Sequence, residues 1–101
     1  MALISKYNLD NLKNEAEKLV FDELERQLDA SQAAICRCNE CVLDMAALAL
    51  NSVKPHYQVS LLGSLYTASS MEDKNYAASV RKAVMNAIAR ISSNPGHDIT
   101  P

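Results

Sequence analysis

Apolar residues recur at spacings of three and four through residues 12–28, where Leu12, Ala16, Leu19, Val20, Leu24 and Leu28 fall on one stripe. A 3.6-residue period of this kind predicts an amphipathic helix. Glu15, Glu17, Lys18, Asp22, Glu23, Glu25 and Arg26 fill much of the remaining surface as a solvated face. Asn8, Asp10 and Asn11 compete to cap its start, because short polar side chains accept hydrogen bonds from the unsatisfied amides of a first turn. Residues 29–35, DASQAAI, either extend the helix or form a connection. A second pattern runs from residue 40 or 41 to residue 51. There Val42, Leu43, Met45, Ala46, Ala47, Leu48, Ala49 and Leu50 leave almost no polar face. A helix apolar around its circumference needs covering on several sides. Two other helices of so short a chain do not supply that cover, which favours self-association over a monomer whose small alanines pack closely unaided.

Lys54-Pro55 is expected to end this second helix, since proline lacks an amide donor and biases the residue before it away from helical geometry. In HYQVSLLGSLYT, Tyr57, Val59 and Leu61 alternate before Gly63. Alternation predicts a short strand or hairpin, with an ordered loop over the core as the other possibility. Ser69 or Ser70, each with an acidic residue three positions on, offers a capping box for a last helix from Met71 to about Ser92. Tyr76, Ala77, Val80, Ala83, Val84, Ala87, Ile88 and Ile91 carry its stripe, and Lys74, Arg81, Lys82 and Arg90 fall away from it. Asn94, Pro95 and Gly96 stop it just before His97.

These patterns predict one all-α domain spanning residues 1–101, with three to four helices. Composition agrees: 49% of the 101 residues are hydrophobic and two are glycine, a mixture that suits helices and opposes disorder. The formal charge of -2 gives no general attraction to DNA or to an anionic membrane. Its distribution is uneven. Residues 1–53 hold five Lys/Arg against nine Asp/Glu, and residues 54–101 hold five against three, so the basic surface lies in the second half. No apolar run reaches signal-peptide or membrane-spanning length. The expectation is a cytoplasmic protein with reduced thiols and no membrane insertion.

All three cysteines lie within CRCNEC, residues 36–41. Neighbours this close strain most disulfide pairings, and clustering beside Arg37, Asn39 and Glu40 distinguishes them from scattered buried thiols. Zinc accounts for C-x-C-x-x-C best, because soft thiolates supply tetrahedral corners and one short turn can present three. Cys41 would begin the second helix, where free amides and the helix dipole stabilise a thiolate. Arg37 would offset the net -1 of three thiolates on a divalent ion. The fourth ligand is expected at His97, which would pin the C-terminal tail to the turn, with His56 or a water as alternatives. Two other chemistries fit less well. Thiol redox through Cys38 and Cys41 would usually accompany a βαβ framework, and catalysis by zinc is opposed by three anionic ligands that weaken its Lewis acidity.

The motif continues as Cys36-x-Cys38-x-x-Cys41-x-x-Asp44, then ALALN at residues 47–51, then Pro55 and Tyr57. This order and spacing resemble the ComFB family of bacterial late-competence proteins, and the flanking helices extend the resemblance over most of the chain. It implies a small helical homodimer, a zinc site on Cys36, Cys38 and Cys41, and a regulatory protein without enzymatic activity. It also implies a receptor for a cyclic dinucleotide such as c-di-GMP or c-di-AMP, acting in competence or pilus-dependent motility through a further protein partner. The family's motif fixes neither the fourth ligand nor the nucleotide contacts. For two phosphates and two stackable bases, this sequence offers Lys54, Arg81 and Lys82 with Arg90 as cations, and Tyr57 and Tyr66 with Tyr76 as stacking surfaces. Amides around residues 69–72 are a further phosphate candidate. A zinc-stabilised protein-interaction module without a small ligand is the competing expectation.

Overall fold

The computed structural model describes residues 2–59 and 73–94. Among them are a one-turn helix α1 (Leu3–Lys6), a 3-10 turn (Leu9–Asn11), strand β1 (Lys13–Asn14), helices α2 (Ala16–Ala30) and α3 (Asn39–Leu50), strand β2 (Tyr57–Gln58) and helix α4 (Lys74–Ser93). The three long helices pack against one another, α3 against α4 most extensively. β1 and β2 form a two-residue antiparallel ladder with Lys13 opposite Gln58 and Asn14 opposite Tyr57. The expected mostly helical fold is therefore present, and the alternation near Tyr57 does mark a strand, although its partner precedes α2.

That partner explains why α2 starts later than periodicity alone predicts. Leu12, the first residue of the apolar stripe, is 50% exposed and lies outside the helix. None of Asn8, Asp10 and Asn11 caps α2; its N-cap is Glu15, and the preceding Asn14 supplies the side-chain acceptor. Its Oδ1 accepts from the Ala16 amide at 3.1 Å and from the His56 amide at 2.8 Å, while the Glu15 amide donates to the His56 carbonyl at 2.7 Å. One side chain thus satisfies the first turn of α2 and ties it to β2. Beyond this junction Ala16, Val20, Leu24 and Leu28, one per turn, are buried as expected, and Leu19 is half-buried.

α3 buries Cys41, Met45, Ala46 and Ala49. It ends at Leu50, before Lys54-Pro55, through a turn that places Val53 in the core. α4 contributes Val80, Ala83, Val84 and Ala87, on the stripe read from the sequence. Its start differs from the expected capping box. Asp73 is the N-cap, accepting from the Asn75 amide at 2.8 Å, whereas Ser69 and Ser70 lie outside the described residues. Met45, Val20 and Val84, one from each long helix, are completely enclosed in the shared core.

Candidate metal centre

Cys38 stands at the N-cap of α3 with extended backbone geometry, and Cys41 lies three residues later on the first turn. Because a helix N-terminus directs unsatisfied amides outward, the Cys38 sulfur accepts from the Cys41 amide at 3.4 Å. Cys41 lies at the start of α3 as expected, and its amide donates to the Cys38 sulfur at the cap. Cys36 precedes this cap by two residues, so its sulfur reaches the same side of the turn. All three sulfurs lie within 4.8 Å of one another. Four thiolates around zinc at about 2.3 Å would stand roughly 3.8 Å apart along tetrahedral edges, so a small contraction of the triangle suits three corners of such a centre.

Burial grades across the trio. Cys38 is exposed, Cys36 half-buried, and Cys41 only 1% exposed. Removal from water pushes the Cys41 thiol up to about 12, reinforced by hydrogen bonding with Cys38 and Cys36 and by their charge. A thiol so disposed toward its protonated form is a poor nucleophile at neutral pH, whereas a divalent cation would compensate its charge. The donor set thus fits a soft metal better than exchange chemistry.

Arg37, between Cys36 and Cys38, reaches the end of α2. Its guanidinium donates to the Leu28 carbonyl and lies 4.0 Å from the Asp29 carboxylate. A cation there complements the negative end of α2 and anchors the cysteine turn to that helix. Among the described residues, the cluster that could hold a metal ion consists of the three cysteines. His56 does not join it, and His97 lies outside the described residues.

His56 belongs instead to the junction between the ladder and α4. Its ring meets Tyr76 edge-on, with centroids 4.5 Å apart, and the Tyr76 hydroxyl donates to the Lys54 carbonyl at 2.8 Å. His56 Nε2 is buried with no hydrogen-bond partner among the described residues. Burial lowers the imidazole pKa, assisted by the positive charge of Lys54. The linkage has a definite sign: the fold favours neutral imidazole, so the stabilisation is complete above the unfolded value near 6.5 and is lost as pH falls through the lower folded value. Stability should consequently decline below about pH 6.5, and His56→Phe should flatten that part of a pH series of urea midpoints. An unchanged slope would remove His56 as its cause.

Lys54 and Tyr57 are exposed near the ladder, and Arg81 and Lys82 are exposed on α4. Arg81 borders a cleft between α2 and α4 together with Asp22, Glu23 and Arg26, while its backbone carbonyl accepts from Gln27 at 3.0 Å. Glu23 is held below the usual carboxylate range chiefly by its hydrogen bond from Arg26, with smaller help from Gln27 and Arg81. Tyr66 lies outside the described residues.

A feature not singled out in the sequence is an apolar groove of about 420 Å³ between α2 and α3. Phe21, Leu24, Leu28, Val42, Leu43 and Ala46 line it, together with Glu25, Asp29 and Arg37. Phe21 carried the available signal, because it is a large apolar residue lying off the Ala16–Val20–Leu24 stripe. The all-round apolarity of α3 carried the rest.

The sequence profile for "Late competence development protein ComFB" matches residues 13–95. The chain belongs to the ComFB family. It is 30% identical over 84 residues to the competence protein ComFB of Bacillus subtilis strain 168, covering 83% of this chain and 85% of that protein. A solved structure of late competence protein ComFB from Bacillus subtilis matches with a TM-score of 0.69 and 30% identity, covering 87% of this chain and 94% of the other. These matches bear out the family resemblance and place both the cysteine turn and the three-helix core within the family region. Among the described residues, no helix is long and apolar enough to cross a membrane.

Proposed function

We propose that the chain is a cytoplasmic, non-enzymatic regulator in which Cys36, Cys38 and Cys41 hold a structural zinc ion, with His97 as fourth ligand. The observation carrying this reading is the triangle of sulfurs within 4.8 Å at the start of α3. Zinc would join the turn to the helical core through buried Cys41, and Arg37 would join the same turn to the end of α2. Such a centre stabilises a binding surface rather than transforming a substrate, because three thiolates damp Lewis acidity. The protein acts as a homodimer, in which a partner copy covers apolar surface left open on α2 and α3.

Within a competence-related family, the regulatory input we propose is a cyclic dinucleotide and the output is a changed contact with another protein in competence or pilus-dependent motility. Exposed Lys54, Arg81 and Lys82 supply cations, and Tyr57 and Tyr66 supply rings for stacking. Isothermal titration of the zinc-loaded protein with c-di-GMP and c-di-AMP tests this input. Binding of at least one is expected, weakened about tenfold or more by Arg81→Ala combined with Lys82→Ala. Absence of heat and of competition with either nucleotide would reject it. The second reading is then favoured: a zinc-stabilised interaction module whose exposed α2/α3 groove recruits protein without a small ligand.

A further inference from the structure

We propose that residues 3–12 form an exchanged arm, seated in the α2/α3 groove of a second copy of this chain. The proposal rests on the homodimer reading and specifies how its two copies engage. Neither α1 nor the following 3-10 turn has a buried residue. Leu3, Ile4, Tyr7, Leu9 and Leu12 are all exposed, with Ile4 reaching 73%. Five large apolar side chains in ten residues are a costly surface to leave in water, and their clustering marks a contact segment. The arm begins before the family-matched region, whereas the groove lies within it.

The two surfaces correspond in chemistry. The groove is open and apolar, with Phe21 46% and Leu43 58% exposed. Its lining also includes two exposed carboxylates, Glu25 and Asp29, and one exposed guanidinium, Arg37. The arm carries the opposite pair, Lys6 and Asp10, with the Lys6 ammonium 5.6 Å from the Tyr7 ring centroid. Lys6 can face Glu25 or Asp29 while Asp10 faces Arg37, giving a charged rim around an apolar centre. The Lys13–Asn14 ladder fixes the arm's root at the start of α2, while the groove extends toward that helix's C-terminal end through Leu28 and Asp29. Exchange between two copies would cover both arms and both grooves with one symmetric operation.

The test uses full-length metal-loaded protein. Sedimentation equilibrium first establishes association of the unaltered chain. Ile4→Glu with Leu9→Glu on the arm, and Leu43→Glu in the groove, should each weaken dimerisation about tenfold or more. All three positions are exposed, so helical circular dichroism and bound metal should persist. A photo-cross-linker at Ile4, in mixtures of isotopically light and heavy chains, should yield mixed-isotope adducts at Phe21 or Leu43. An unchanged dimer constant in both charged variants, or cross-links confined to one chain, would overturn arm exchange without removing the dimer. A monomer across the micromolar range would overturn the dimer reading as well.

Discussion

Removal of the metal proposed for the cysteine turn is expected to cause the largest loss of stability. The three-cysteine turn joins the start of α3 to the end of α2, with Cys41 buried, Cys38 capping α3 and Arg37 bonded to the Leu28 carbonyl. Structural zinc contributes about 10–16 kcal/mol in small peptides, comparable with the whole stability of a domain at about 5–15 kcal/mol. Chelation should therefore lower the melting temperature steeply or remove the cooperative transition. Cys38→Ser is the informative variant, because Cys38 is exposed and its loss removes a proposed ligand with little loss of core packing. It should release metal to a competing chelator far more readily than unaltered protein. His97→Ala should do the same if the tail provides the fourth bond; unchanged retention would assign that position elsewhere. Ligation also displaces thiol protons, including that of Cys41, whose deprotonation without metal is disfavoured up to about pH 12. Apparent affinity should thus fall as pH is lowered, by up to about tenfold per ligating thiol per unit. Verified metal-free protein with an unchanged transition would defeat the structural role.

Met45→Ala is expected to give the second-largest effect. Met45 is 0% exposed and belongs to the cluster shared by α2, α3 and α4. Truncation removes a buried thioether chain and leaves a cavity that three packed helices fill only in part, a change that costs about 2–5 kcal/mol. A loss of that size is a substantial fraction of a small domain's stability. Urea unfolding of metal-loaded protein should show a lower midpoint with a similar slope. Met85→Ala, on the exposed side of α4, should stay within about 0.5 kcal/mol. Equal effects at the two positions would contradict this core arrangement.

The sequence by itself determined most of the core. Spacings of three and four select Val20, Leu24 and Leu28 on α2 and Val80, Val84 and Ala87 on α4, because only a helix brings those positions to one face. C-x-C-x-x-C likewise implied a local sulfur cluster, since a short turn is enough to bring the three side chains together. Tertiary structure decided the features that depend on residues far apart in the chain. Leu12 leaves the predicted helix because β1 pairs with β2, and Asn14 accepts from the first turn of α2 and from His56, 42 residues away. Arg37 meets the end of α2, where the Leu28 carbonyl accepts from its guanidinium and Asp29 lies 4.0 Å away. The groove joining Phe21 to Leu43 exists only once α2 and α3 are packed. Periodicity specifies the face a helix buries; it does not specify the neighbour that face meets or the apolar surface left between them.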